Sequence, residues 1–160
     1  MVLLAPCDGE PINVTRQVAE HSVVLKNMLE DLGEGDQPIP LPNVSCSILR
    51  KVLEYCEHHC GEPLPAVDPG NEDYAYKQTM TIDEWDSNFL DVDQELLFQI
   101  IIAANYLEIK PLLDAGCKTV ANMMRGKTTD ELRIMFNIGN DFTPEEETEA
   151  ALACKWVEDR

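Results

Sequence analysis

The stretch from Gln94 to Met124, QELLFQIIIAANYLEIKPLLDAGCKTVANMM, limits the possible folds more than any other part of the chain. Between Leu96 and Leu107 the only clearly polar side chains are those of Gln99 and Asn105. A helix there has no face suited to water, so it is expected at the centre of its fold, covered on several sides by its own chain with room for a partner to complete the cover. Around Pro111 the pattern changes. Ile109, Leu112, Leu113, Cys117, Val120, Ala121 and Met124 recur at three- and four-residue steps, which predicts an amphipathic helix with one wide apolar stripe.

What this core can serve is narrowed by charge. The 160 residues carry 30 acidic side chains against 12 Lys and Arg, a formal net charge of -18. Unaided nucleic-acid binding needs the opposite sign, because its affinity comes from releasing phosphate counterions. An anionic membrane surface is disfavoured for the same reason, and no apolar run reaches the roughly 20 residues of a membrane span. Proteins with basic patches are the favoured partners. The six cysteines, at 7, 46, 56, 60, 117 and 154, fall largely on apolar stripes, where a thiol packs as a small hydrophobe. With no signal-peptide pattern in MVLLAPCDGE, the reading is a reduced intracellular protein.

In chain order, VLLA and INV flank CDGEP, and Asp8-Gly9 predicts a hairpin turn. Ser22 precedes a helical stripe of Leu25, Met28, Leu29 and Leu32 that Gly33 and Gly35 end. Prolines at 38, 40 and 42 alternate with Ile39 and Leu41, which forbids a central strand and permits an extended edge segment. Asn43 or Ser45 is placed to cap a helix striped by Ile48, Leu49, Val52, Leu53 and Cys56. Residues 61–79, with three prolines and no periodicity, predict a flexible surface loop. Thr81 and Glu84 then match a capping box for a short helix that docks through Trp85 and Phe89, and Asp91 or Asp93 caps the central helix. Two further starts lie beyond Met124. One is the capping box Thr128 to Glu131; the other is Thr143-Pro144-Glu145-Glu146, with proline at the first helical position and acids on the positive end of the helix dipole. The fold class is therefore α/β: a short sheet with surrounding helices over residues 1–125, then a small helical extension over 126–160.

No constellation supports catalysis. Cys56, His58, His59 and Cys60 form the only metal-like cluster, and zinc needs about four convergent ligands. On a helix positions 56 and 60 share a face with 59 beside them while 58 points elsewhere, so Cys56 reads as stripe core and the histidines as a solvated helix end. Pairing any histidine with any cysteine lacks an oxyanion feature. Gly33-Glu34-Gly35 is too short for a dinucleotide or phosphate loop. The expectation is no catalytic residue, no metal and no cofactor. The alternative is a binding surface, because a tail of under 40 residues cannot enclose Ile134, Phe136, Ile138, Phe142 and Trp156 together.

At this point KNMLEDLG (26–33), PIPLPNV (38–44), LRKVLEYCEHH (49–59), the run from Val92 to Thr128 and FNIGNDFTPEEE (136–147) become informative as whole strings. They closely resemble the S-phase-kinase-associated adaptors of SCF ubiquitin ligases, in their fungal form. The resemblance implies a BTB/POZ-type domain that docks on a cullin scaffold, followed by helices that clasp the F-box of a substrate receptor. A RING subunit and a ubiquitin-charged conjugating enzyme would join indirectly through the cullin, in cytoplasm and nucleus, and a weak homodimer is compatible with it. Carried over by position, Asn105 and Tyr106 match the family's cullin-contacting pair. Leu97, Phe98, Cys117, Val120, Met124, Ile134, Phe136, Ile138 and Trp156 match its F-box-facing positions. Two stretches depart from the family pattern: the start before Cys7 is abbreviated, and EALACKW replaces a more charged stretch.

Overall fold

The computed structural model describes residues 1–32, 37–61 and 82–158. Among these are three short strands and eight helices, so the expected mixture of a small sheet with surrounding helices is met. The predicted hairpin forms between β1 (Val2–Pro6) and β2 (Ile12–Val14), antiparallel in the register Val2↔Val14, Leu3↔Asn13 and Leu4↔Ile12. β3 (Ile39–Leu41) lies parallel to β1 on its other side, giving the order β2-β1-β3. The proline-rich segment is thus an edge strand. Ile39 and Leu41 turn into the core while Pro40 stays exposed, and a residue without an N–H blunts an open sheet edge.

The hairpin turn also serves the first long helix. In α3 (Cys46–His58) Ser45 stands at the N-cap, yet its side chain makes no capping bond. Asp8 supplies it instead, its Oδ1 accepting from the Cys46 backbone N–H at 2.6 Å. The approach is close enough that a Cβ on Gly9 would fall 2.7 Å from the Cβ of Cys46. Glycine is required there by space. The predicted stripe of α3 is buried throughout, Ile48, Leu49, Val52, Leu53 and Cys56 together with Tyr55.

Sequence periodicity gives no sign of α1 (Arg16–Ala19), a single turn started by Thr15, whose Oγ1 accepts from the Val18 N–H. It leads into α2 (Val23–Leu32), which starts where expected after Ser22: the Leu25 N–H donates to Ser22 Oγ at 3.2 Å. Leu25 is buried, with Met28 and Leu29 half-buried beside it. The glycines expected to end this helix, and nearly all of the 61–79 loop, lie outside the described residues. So does Thr81. The capping box expected from it is not what starts α4 (Glu84–Phe89), because Asp83 occupies the cap and Glu84 is the first helical residue. The expected docking through Phe89, buried, and Trp85, half-buried, does occur.

α5 (Gln94–Tyr106) follows from Asp93 at its cap and packs against α3. Leu97, Ile100, Ala103 and Ala104 are buried, each large member contributing about 1.5–3 kcal/mol by leaving water. The expected cover forms, with Leu96, Ile101 and Tyr106 half-buried against the core, and one side stays open. Glu95, Gln99, Ile102 and Asn105 form an exposed ridge along the helix, with Ile102 65% exposed. The wide stripe expected of α6 (Lys110–Met124) is corrected. Its buried line runs through Leu112, Ala115 and Gly116, while Cys117, Ala121 and Met124 are exposed. A Cβ on Gly116 would fall 2.6 Å from Ile101 Cγ1, so the bare glycine leaves room for the Ile101 side chain of α5.

The chain divides into two compact units, Met1–Met123 and Met124–Arg160. The second holds α7 (Thr129–Met135) and α8 (Pro144–Glu158). Both predicted caps are present: Thr128 and Glu131 exchange side-chain and backbone bonds, and so do Thr143 and Glu146. Among the described residues of this unit none is buried.

Candidate functional site

The end of α5 is fixed before it can present anything. Glu108 adopts a left-handed conformation, φ 52°, and the backbone closes a double cap: the Ile109 N–H donates to the Ala104 carbonyl at 2.9 Å and the Glu108 N–H to that of Asn105 at 3.2 Å. A non-glycine residue in that region costs about 1–2 kcal/mol, and here the burial of Leu107 and Ile109 on either side offsets it. A third tie comes from far away in sequence. The buried Ser22 hydroxyl donates to the Leu107 carbonyl, so one side chain starts α2 and anchors the end of α5. On this last turn Asn105 is exposed and Tyr106 half-buried.

Phe98, Ile102, Asn105 and Tyr106 lie at three- and four-residue steps along α5, so Ile102 shares the ridge with the Asn-Tyr pair. Sequence reasoning passed over Ile102 as one more residue of an apolar run. The signal was nonetheless present: Glu95, Gln99 and Asn105, the polar positions, mark one helical face, and Ile102 falls on it.

The second predicted set is scattered in its exposure. Leu97 is a correction: it is 1% exposed and belongs to the chain's own core, because it sits on the side of α5 opposite the ridge. Phe98 and Val120 are half-buried and Cys117 is exposed in the first unit. In the second, Met124, Ile134 and Ile138 are exposed, Ile134 by 82%, and Phe136 is half-buried. Trp156 lies on α8, and its side chain is outside the described ones. Phe142 and Leu152 are exposed large apolar residues that the predicted set omitted. Their signal was apolarity on a helix or loop too polar to bury them.

What orders the second unit is local. Asn137, φ 53°, ends α7 with the same double cap, the Ile138 N–H donating to the Arg133 carbonyl at 2.8 Å. Arg133 Nη1 lies 3.2 Å from Asp130 and 3.4 Å from Glu147, and its guanidinium stands 5.8 Å from the Phe142 ring. Hydrogen bonds from Thr128 and Thr143 hold the carboxyls of Glu131 and Glu146 below the usual carboxylate range. Exposed ion pairs of this kind contribute little stability each, whereas a helix cap contributes about 1 kcal/mol.

Reactive chemistry finds poor ground. Burial, then the neighbouring Cys60 and Glu57, pushes the Cys56 thiol up to about 12, the reverse of an activated nucleophile. Of the histidines read as a solvated helix end, His58 is exposed, though stacked on Trp85, while His59 is half-buried against Asp86. Cys7, Cys46, Cys56, Cys60 and Cys117 are free thiols. Among the described residues no three His, Cys, Asp or Glu side chains are grouped to hold a metal, and no helix is long and apolar enough to cross a membrane.

A small POZ-type sheet-and-helix unit with an open helical tail defines the class, and sequence comparison agrees with it. The Skp1 family tetramerisation domain matches residues 1–60 and the Skp1 family dimerisation domain matches residues 110–157. This chain belongs to the Skp1 family. Among similar curated proteins, the E3 ubiquitin ligase complex SCF subunit sconC of Aspergillus flavus is 57% identical over 96% of this chain and 93% of its own. The sconC subunit of Emericella nidulans is 55% identical over 100% of this chain and 98% of its own. The suppressor of kinetochore protein 1 of Schizosaccharomyces pombe is 54% identical over 99% and 98%.

Proposed function

We propose that this chain is the adaptor of an SCF-type E3 ubiquitin ligase, without catalysis of its own, joining an F-box substrate receptor to a cullin in cytoplasm and nucleus. The observation that carries the reading is the tail: its described residues include no buried one, yet Ile134, Ile138, Phe142 and Leu152 are large, apolar and exposed. Such a surface marks a contact site, and the near-full-length similarity to SCF subunits says which assembly it serves. The cullin contact is assigned to Asn105 and Tyr106, joined by Ile102 on the same ridge. The F-box contact is assigned to Phe98, Cys117, Val120, Met124, Ile134, Phe136, Ile138 and Trp156. The adaptor accelerates ubiquitin transfer by tethering, which turns an encounter in solution into a local one.

A purified binding assay with a cullin N-terminal fragment and one F-box protein tests this. The wild type binds both at once. Asn105→Lys with Tyr106→Lys weakens the cullin contact by at least tenfold and spares the F-box, as expected of a two-residue hot spot. Truncation before Thr143 does the reverse. If the wild type captured neither partner, the adaptor reading would be wrong; if the double variant unfolded the chain, the pair would be core. A second reading, a self-associating structural protein, draws on the matched family descriptions, which speak of tetramerisation and dimerisation. Light scattering separates the two: a tight homodimer that added F-box peptide leaves intact favours self-association.

A further inference from the structure

The connection between α7 and α8, residues 136–143, carries two large apolar side chains that stay in water, Ile138, 58% exposed, and Phe142, 52% exposed. A segment with no core beneath it is ordinarily loose. This one is tied at both ends to a single residue. At the near end the Arg133 carbonyl accepts from the Ile138 N–H at 2.8 Å, across the left-handed turn at Asn137. At the far end the Arg133 guanidinium stands over the Phe142 ring, 5.8 Å from its centre, and Nη1 donates to Glu147 Oε1 at 3.4 Å in the first turn of α8. The same Nη1 donates to Asp130 Oδ1 at 3.2 Å. Asn140 adds a local bond, its Oδ1 accepting from the Phe142 N–H at 3.2 Å.

Its surroundings set Arg133 apart. Among the described residues of the second unit Leu132, Arg133, Met135 and Phe136 are half-buried, and Arg133 is the charged member of that group. Its side chain is 15% exposed, against 83% for Asp130 and 51% for Glu147. A guanidinium keeps its charge when enclosed, and its planar fork can bond carboxylates while its face lies on an aromatic ring, which the compact ammonium of lysine cannot do. The ion pairs add little to stability. Their effect is on order. A connection already held in its binding shape gives up less freedom when a partner arrives, and affinity gains by the entropy not lost.

We propose that Arg133 is the positioning residue of the F-box contact: it holds this connection in one shape and so presents Phe142, together with Ile138, as an anchor for apolar side chains of the F-box. Arg133 acts through Phe142 rather than by touching the partner itself. This role depends on the F-box reading and extends its surface, since Ile134, Phe136 and Ile138 follow Arg133 directly in the chain.

The test uses the full chain and one purified F-box protein. Arg133→Met keeps an unbranched side chain and removes the fork and its charge. The expected result is a loss of affinity of about fivefold or more, with a lower heteronuclear NOE at the amides of 138–142 and unchanged helicity by circular dichroism. Arg133→Lys recovers part of both, because the charge returns and the planar fork does not. Phe142→Ala weakens binding by itself. Adding Arg133→Met to it costs less than about twofold more, since a residue that acts through Phe142 then has nothing left to position. Losses that multiply independently would mean that Arg133 touches the partner directly, and they overturn the proposal. So does a wild-type affinity in Arg133→Met, or an unchanged NOE at 138–142. Should Arg133→Met lose helicity, the same cycle run with Arg133→Lys and Phe142→Ala decides. A wild type that captures no F-box protein refutes the partner reading and this role with it, whereas wild-type binding that is insensitive to Arg133→Met refutes this role alone.

Discussion

Gly116 and His21 show how single side chains are judged by their surroundings. A methyl group at Gly116 would improve helix propensity by about 1 kcal/mol, but it would lie 2.6 Å from Ile101 Cγ1 and 3.2 Å from its Cδ1. Overpacking of that kind costs about 1–3 kcal/mol, so after the propensity gain Gly116→Ala is expected to destabilise the chain by up to about 2 kcal/mol, read as a lower midpoint in urea. For His21, burial and then His59 lower the pKa from 6.5. A base with a depressed folded value contributes stability that is present above its unfolded pKa and lost as pH falls through the folded one. Cys56 works at the other end: a thiol raised from 9.0 to about 12 contributes stability present below pH 9.0 and lost as pH rises toward 12. Denaturation curves across pH should decline on both flanks, and His21→Asn should remove part of the acidic decline only. None of these residues is informative in the sequence. Gly116 reads there as an interruption, since the neighbour that requires it comes from another helix.

Helix starts were legible where their information is local, and the face of α3 was legible too, but the faces of α5 and α6 were not. Thr128 with Glu131 and Thr143 with Glu146 sit three residues apart, within reach of each other in any helix, and both boxes form. Where the capping group came from elsewhere the sequence reading failed: Asp8 caps α3 from 38 residues away. Ser22 joins both kinds. Its place just before α2 was legible, and its bond to Leu107, 85 residues on, was not. Ser22→Ala removes a cap worth about 1 kcal/mol and leaves a buried carbonyl unsatisfied at about 1–3 kcal/mol. A loss of roughly 2–4 kcal/mol in chemical denaturation is expected, together with weaker cullin binding, because the turn that carries Asn105 and Tyr106 loses its anchor. Thr143→Ala should instead lower helicity by circular dichroism and F-box affinity, with the first unit's unfolding midpoint unchanged. Among the described side chains of the second unit none is buried, and the caps fix its helix ends.

For the whole molecule, 30 acidic against 12 basic side chains predict association steered by charge. The on-rate for a partner with a basic face should fall about tenfold or more from low to physiological salt, measured by stopped flow, while the off-rate changes little. A salt-independent on-rate would show that steering plays no part.

The amino-acid order by itself determined the elements, the edge placement of the proline strand and the family, because turns, caps and periodicity act over a few residues and long matching strings are specific. It also set the surplus of apolar residues in the tail. The stretch from Gln94 to Met124 was correctly read as helical and central. Which of its side chains face inward was decided only by tertiary structure: Leu97 went to the core and Ile102 to the surface, five residues apart in an apolar run. The physical reason is that hydrophobicity has no direction. Burial direction is set by the helix that packs against the run, by Gly116 at the point of closest approach and by Ser22 at its end, and none of these relations is contained in the run itself.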